Sequence, residues 1–175
     1  MKNILVIEDS KPFAKAIKAL LEGAGHQVTW LVGANSHQIT DGGVILVGLT
    51  DEGKTQDIDC RQYQAAFVDG QLKGNIQGPD LVKLLVQSKV ACCGMSSQSD
   101  MNEEMLTFGA TMAYKKPVVV AGLMSARLSV SAVLSPTRSE LSKLAFLERR
   151  FISPQFETLR DQADALLTSY IGEDK

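Results

Sequence analysis

Five polar residues of chemically useful types each follow a short apolar run of the sequence. They are Glu8 and Asp9 after ILVI, Asp69 after AAFV, Ser96 after VACCGM, and Lys116 shortly after MAY. Carboxylates bind hard cations, and a carboxylate can attack phosphorus to form an acyl phosphate. A hydroxyl and an ammonium group can bond to and neutralise phosphoryl oxygens. The residue types therefore indicate metal-assisted phosphoryl transfer, with Asp69 as the acceptor.

Three carboxylates at one site repel one another and need positive charge nearby. Two unit charges about 4 Å apart cost on the order of 4 kcal/mol at an effective dielectric constant near 20. Lys116 supplies one positive charge, and a divalent cation with oxygen ligands supplies two more. Such a ligand set favours Mg²⁺, which keeps several of its waters. We expect Asp9, Asp69 and the backbone carbonyl of Gln71 to bind it, with Glu8 acting through a water molecule.

The apolar runs before these residues are typical of strands buried on both faces. The predicted strands cover residues 4–7, 27–32, 65–68, 90–95 and 112–114. Helices are predicted between them, the first capped by Ser10 and the last covering 118–134. This alternation predicts a doubly wound α/β fold with a five-stranded parallel sheet. All carboxyl ends of such a sheet lie on one edge, so the five polar residues should meet there.

The segment between the second and third predicted strands is longer than a crossover helix requires. It contains the apolar run VILVGL at 44–49, which follows Asp41-Gly42-Gly43 and precedes a polar stretch from 50 to 59. Such a run between turn residues is typical of β structure. We expect an inserted strand or hairpin near residues 40–60.

Residues 3–134 resemble the receiver domain of two-component response regulators of the chemotaxis (CheY-like) type. The resemblance rests on ILVIEDS, YQAAFVDG, VACCGMSS and GATMAYKKP, which occur in the family's order. It implies a flavodoxin-like sheet with strand order 2-1-3-4-5, Mg²⁺, and phosphoryl transfer to Asp69. The donor would be a histidine kinase, a phosphotransfer protein or acetyl phosphate, and a downstream protein would read the state. The resemblance also implies Lys116 rather than Lys115 as the site lysine, a cis Lys116–Pro117 peptide, and Ser96 as the switch hydroxyl.

Some positions depart from the family pattern. The family usually has Tyr or Phe three residues before the lysine, but Ala113 stands there and Tyr114 follows. A shift of one residue along a strand directs a side chain to the opposite face. Ser97 replaces the usual small residue after the switch hydroxyl, and the loop after Asp69 carries Lys73 and Gly74 instead of a Met-Pro pair.

Each residue alone has an ordinary structural explanation. Asp69 can close a turn with Gly70, the paired acids can favour a helix amino terminus, Ser96 can cap a turn, and Lys116 can be solvated. Two other functions stay open at this point. One is a degenerate receiver that acts as a scaffold without phosphate. The other is a flavodoxin-like or phosphatase enzyme, although Gln71 stands where aspartyl phosphatases carry a second acid.

The composition excludes some classes of function. A net charge of −2 gives the chain no overall attraction to nucleic acid or anionic membranes. The amino terminus shows no signal-peptide pattern, and Cys60, Cys92 and Cys93 do not suggest a disulfide framework, so we expect a cytoplasmic protein. We expect the receiver domain to be followed at 135–175 by two amphipathic helices with six basic and seven acidic residues. That extension either packs on its own receiver or mediates a homodimer or partner contact.

Overall fold

The fold is built around a central parallel sheet, and the computed structural model describes residues 1–172. In chain order the strands are β1 (Asn3–Ile7), β2 (Gln27–Leu31), β3 (Gly33–Thr40), β4 (Gly43–Leu49), β5 (Thr55–Asp59), β6 (Ala65–Asp69), β7 (Lys73–Gly74), β8 (Ala91–Met95) and β9 (Met112–Tyr114). The helices are α1 (Lys11–Gly23), α2 (Gly78–Gln87), α3 (Ser99–Thr107), α4 (Lys116–Met124), α5 (Val130–Leu134), α6 (Arg138–Arg150) and α7 (Glu157–Ile171). Short 3₁₀ turns lie at Cys60–Gln62 and Pro154–Phe156.

The central sheet has the strand order β2-β1-β6-β8-β9, with every neighbouring pair parallel. This is the predicted order 2-1-3-4-5 once the inserted strands are left out of the count, so the predicted fold class is confirmed. The apolar residues of β1 and β6 are buried on both faces of the sheet. That burial explains why both strands are continuous apolar runs rather than alternating ones.

The insertion is larger than the predicted strand or hairpin. It starts at Gly33, shortly after β2. Strands β3, β4 and β5 pair antiparallel in chain order, and we refer to these three strands as the meander. With β7 these strands make a second sheet of order β5-β4-β3-β7. Alternate residues of β4, Val44 and Leu46, are buried in one core with Val68 and Leu81. The meander therefore covers part of one face of the central sheet, beside α2.

The opposite face of the sheet is covered by helices, including the two helices of the extension. Leu144, Leu147, Phe156 and Ala163 share a core with β1 and β6. Helix α7 packs along α1, and both α6 and α7 contact α4. The extension thus packs on its own receiver, against α1 and α4. The domain boundary at 134/135 and a homodimer stay predictions. Glu173, Asp174 and Lys175, which the sequence prediction included in the extension, lie outside the described residues.

The helix predicted for 118–134 is wrong as a single element. Helix α4 begins earlier, at Lys116, and ends at Met124, whereas α5 starts only at Val130. Between them Ala126 has a φ of 58°, which a right-handed helix does not allow. Ser129 then caps α5 by accepting a hydrogen bond from the Ala132 N–H at 3.1 Å. Within residues 1–172, no helix is both long and apolar enough to cross a bilayer.

Candidate functional site

The structure brings the sequence-predicted residues together at the carboxyl edge of the sheet. Glu8 and Asp9 follow β1, Asp69 ends β6, Ser96 follows β8, and Lys116 begins α4 just after β9. An open cavity of about 190 Å³ lies at this edge. The side chains that line it are Asp9, Asp69, Gln71, Ser96, Ser97, Gln98 and Lys116. Because parallel strands end on one side of the sheet, residues far apart in sequence meet here.

Lys116 is the central cation of the site. Its Nζ lies 3.0 Å from Asp69 Oδ2 and 3.1 Å from Glu8 Oε1. Its side chain is only 13% exposed, so Lys116 is not the solvated lysine that the sequence also allowed. Lys115, the other candidate, is exposed. The two carboxylates raise the pKa of Lys116 and outweigh the lowering effect of burial, so the ammonium stays charged.

Glu8 is fully buried, and only one of its two carboxylate oxygens has a hydrogen-bond partner among the described residues. Its Oε1 accepts hydrogen bonds from the backbone N–H of Ser10, at 2.9 Å, and from Lys116. Its Oε2 is buried without a hydrogen-bond partner among the described residues. Burial, followed by the nearby charge of Asp69, raises the pKa of Glu8 to about 8, although Lys116 opposes the shift. Ser10 contributes its backbone here, whereas the predicted side-chain cap of α1 is not formed.

The three acids can supply oxygen atoms to a single cation. Glu8, Asp9 and Asp69 each place a carboxylate oxygen within 4.8 Å of the other two. Burial raises the pKa of Asp69, although Lys116 opposes this shift. An all-oxygen donor set with an unpartnered buried oxygen fits a hard divalent cation. Gln71 lines the same cavity.

Ser96 lies at the rim of the cavity in a tight turn. Its Oγ accepts a hydrogen bond from the Gln98 N–H at 3.1 Å, as in the ordinary turn that the sequence also allowed. The buried side chain of Asn102 accepts from the Ser96 N–H at 3.0 Å and donates to the Ser96 carbonyl at 2.9 Å. Sequence reasoning missed Asn102. The available signal was a short polar residue in the first half of the helix that follows the hydroxyl.

The loop after Asp69 is bonded to the meander. Lys73 in β7 pairs with Gly33 in β3, and the N–H groups of Asn75 and Ile76 donate to the carbonyl of Ala34. Gln77 stabilises the loop after Asp69, because its side chain accepts a hydrogen bond from the N–H of Leu72 and donates one to the carbonyl of the same residue. Sequence reasoning did not assign a role to Gln77. The insertion therefore positions one side of the site.

Ala113 occupies the position at which the family usually carries Tyr or Phe, so this chain has no aromatic ring there. Tyr114 is 8% exposed and packs in the core with Val118, while Ala113 lines a separate cavity of about 270 Å³. Asn102 and Glu148 line that cavity too. The Lys116–Pro117 peptide is trans, so the cis peptide expected from the resemblance is wrong. Pro117 instead occupies the first turn of α4, where a missing N–H costs nothing.

Comparison with known proteins gives a match in structure only. No protein-family model matches the chain, and no curated protein matches it in sequence. A response regulator from Burkholderia pseudomallei, solved with a phosphorylated aspartic acid, calcium ion and citrate, matches with a TM-score of 0.50 and 19% identity over 88% of this chain and 76% of that one.

Two further solved structures extend this likeness. A putative response regulator from Chloroflexus aurantiacus matches with a TM-score of 0.51 and 19% identity, over 77% of this chain and 98% of that one. The non-phosphorylated HemR receiver domain from Leptospira biflexa matches with a TM-score of 0.52 and 16% identity, over 79% of this chain and 98% of that one. The chain therefore has the CheY-like fold of response-regulator receiver domains.

Proposed function

We propose that this receiver-fold chain is a phosphorylation-dependent signalling receiver in a two-component phosphorelay. Asp69 accepts the phosphoryl group, and the chain passes on its state by protein contact rather than by enzymatic output. The observation that carries the proposal is the buried ion triad, in which Lys116 Nζ lies 3.0 Å from Asp69 and 3.1 Å from Glu8 beside an open cavity. A buried lysine held between two acids at a strand edge is costly to build unless it serves a site.

The chemical step is the transfer of a phosphoryl group from its donor to a carboxylate oxygen of Asp69. A carboxylate oxygen of Asp69 attacks the phosphorus, the bond from phosphorus to the donor breaks, and the donor leaves with the electron pair. With acetyl phosphate as donor, the leaving group is acetate. The Lys116 ammonium neutralises charge on the phosphoryl oxygens as they approach Asp69. Glu8, Asp9, Asp69 and the carbonyl of Gln71 would hold Mg²⁺, which would supply further neutralisation of that charge.

Ser96 links the phosphoryl group to the surface. Its oxygen accepts from the Gln98 N–H, and its O–H can donate to a phosphoryl oxygen, so movement of Ser96 toward the phosphoryl group would pull on the turn that precedes α3. A partner histidine kinase or phosphotransfer protein would supply the phosphoryl group, and a downstream protein would bind the altered surface. The cysteines are free and buried. The cytoplasmic location predicted from them stays a prediction, as does the absence of nucleic-acid and membrane partners.

A phosphate-independent scaffold is the second candidate. The observation that favours it is Ala113, because the ring of Tyr114 is packed in the core and is not free to rotate at the surface. In a scaffold, partner binding would be the same with and without a phosphoryl group on Asp69. The intact ion triad argues for the first candidate.

Acetyl phosphate provides the test. Incubation with Mg²⁺ should add about 80 Da to the intact mass, the increment expected for an acyl phosphate. The adduct should be absent in Asp69→Asn and retained in Asp80→Asn, a matched change at an exposed acid of α2. Chelation of Mg²⁺ should abolish labelling. An unlabelled wild-type protein would overturn the receiver proposal and favour the scaffold.

The metal can be tested separately from the phosphoryl group. Trp30, the one tryptophan of the sequence, donates its indole N–H to the carbonyl of Glu8 at 2.8 Å. Its fluorescence should therefore respond to Mg²⁺, with a saturable change that Asp9→Asn weakens. A flat titration in the wild type would contradict a metal site at Glu8 and Asp9.

A further inference from the structure

The backbone at the site lysine is held by a side chain from the extension. The N–H of Lys115 donates to Glu148 Oε2 at 2.8 Å, across 33 residues of sequence. Lys115 occupies the N-cap position of α4 without a side-chain capping bond, and Lys116 is the first residue of that helix. Glu148 lies near the end of α6. The bond therefore holds the Tyr114–Lys115 peptide, one residue before the lysine that contacts Asp69.

The N–H of Lys115 is the backbone donor that a capping box within α4 would satisfy. In a capping box the third helical residue is Glu or Gln, and its side chain accepts from the N–H of the capping residue. In α4 the third residue is Val118, which is buried and cannot accept a hydrogen bond. Glu148 supplies the missing acceptor from another helix. Helix α6 shows the ordinary local form, with Thr137 and Glu140 completing a box within one turn.

Close packing fixes Glu148 in reach of Lys115. Leu144, one turn before Glu148 on α6, is fully buried, and so is Leu147. Leu144 approaches α4 at Gly122, where a Cβ would lie only 3.3 Å from Leu144 Cδ2. The absence of a side chain at Gly122 thus lets α6 lie close to α4. The carboxylate of Glu148 is carried by a rigid helix rather than by a mobile loop.

We propose that Glu148 is a positioning residue for Lys116, so that the docked extension sets the rate at which Asp69 accepts a phosphoryl group. The inference rests on the proposed function. Contacts of 3.0 and 3.1 Å between Lys116 and the two acids are sensitive to small backbone shifts. Displacements of about 1 Å can cost a large factor in rate, on the order of a hundredfold. Loss of the Glu148 bond should therefore slow labelling without removing any group that touches the phosphoryl donor.

Three substitutions at one position separate the hydrogen bond from charge and from size. Glu148→Gln keeps the length and the acceptor oxygen and should label with acetyl phosphate within about twofold of wild type. Glu148→Ala removes the acceptor, and Glu148→Asp keeps the charge but shortens the reach. Both should label roughly tenfold more slowly, a modest share of the effect expected for a misplaced group.

Glu140→Ala is the matched control, because it removes the same kind of bond from the local capping box of α6. Each lost cap should lower the free energy of unfolding by a similar small amount, but only Glu148→Ala and Glu148→Asp should slow labelling. Equal labelling rates in wild type and Glu148→Ala would overturn the inference. Slow labelling of Glu148→Gln, or an equally large decrease in the labelling rate of Glu140→Ala, would also overturn it. Failure of wild type to label would overturn the proposed function itself, and the inference with it.

Discussion

Two segments outside the central sheet contact the backbone near the acidic cavity, one in the loop after Asp69 and one just before Lys116, and they do so differently. The meander grips the loop after Asp69 through backbone pairs, between Gly33 and Lys73 and between Ala34 and the N–H groups of Asn75 and Ile76. The extension reaches the other side through one side chain, Glu148, bonded to the backbone of Lys115. Both segments are additions to the five-stranded fold.

The difference concerns how easily each contact can be changed. Backbone pairs survive most side-chain substitutions, because every residue except proline carries the same donor and acceptor. A side-chain bond is lost with a single substitution. Most single substitutions should therefore leave the backbone contacts of the loop after Asp69 in place, whereas one substitution at Glu148 removes the contact beside Lys116. The predictions below test that contrast.

The largest effect should follow removal of the extension after Leu134. Leu144, Leu147 and Phe156 are almost fully buried in the core that the extension shares with the rest of the chain. Exposing their contact surface should cost about 2 kcal/mol for each residue, or about 6 kcal/mol in total. That is close to the whole stability of an ordinary domain, roughly 5 to 15 kcal/mol. Urea unfolding of residues 1–134 should show a lost or broadened transition.

Truncation also tests the predicted boundary between receiver and extension. If residues 1–134 unfolded cooperatively with nearly unchanged stability, the extension would be a separate appendage rather than part of the core. Leu144→Ala in the full chain is the milder comparison. It should cost about 3 kcal/mol, because it opens a cavity in the same core.

A smaller effect should follow Gly33→Ala, which attacks the meander contact. A Cβ at Gly33 would lie 1.7 Å from the carbonyl oxygen of Lys73, so β3 and the acceptor loop must separate. We expect a loss of about 3 kcal/mol in unfolding free energy, together with slower labelling of Asp69. Gly23→Ala is the control, since a Cβ there meets no atom within 4 Å. Equal unfolding curves for the two variants would contradict the proposed grip on the loop.

The smallest effect concerns Tyr114, beside the lysine side of the site. Burial, followed by the charges of Cys93 and Glu148, raises the pKa of Tyr114 to about 12. The unfolded chain loses this proton near pH 10, so it binds fewer protons than the folded chain between pH 10 and 12. Stability from this group is therefore complete below pH 10 and declines as the pH rises, by about 2 kcal/mol.

Tyr114→Phe should remove that part of the alkaline decline. The measurement is the free energy of unfolding in urea at pH 8 and pH 11 for both proteins. The difference between the two pH values should be smaller in the variant by roughly 1 to 2 kcal/mol. An unchanged difference would mean that the phenol is not kept neutral by the core.

The residues of the site could be predicted because of a simple property of parallel sheets. An apolar run marks a strand, and the polar residue at its end marks the shared edge, so Glu8, Asp69 and Ser96 could be placed without coordinates. Asn102 and Gln77 could not be placed in the same way. Their roles depend on side-chain bonds to loop backbones. The type and position of Asn102 marked it only as a short polar residue early in a helix and did not show which backbone groups it bonds.

The sequence by itself determined the strands of the central sheet and the residues gathered at its edge, because strand burial and strand ends are local properties of the chain, whereas the strand order was implied by the family resemblance. Only the tertiary structure decided what covers the sheet. It placed the meander on one face, docked α6 and α7 on the other, and brought Glu148 to Lys115. Those contacts depend on the shapes of packed surfaces far apart in sequence, such as Leu144 against Gly122, and no local pattern encodes them.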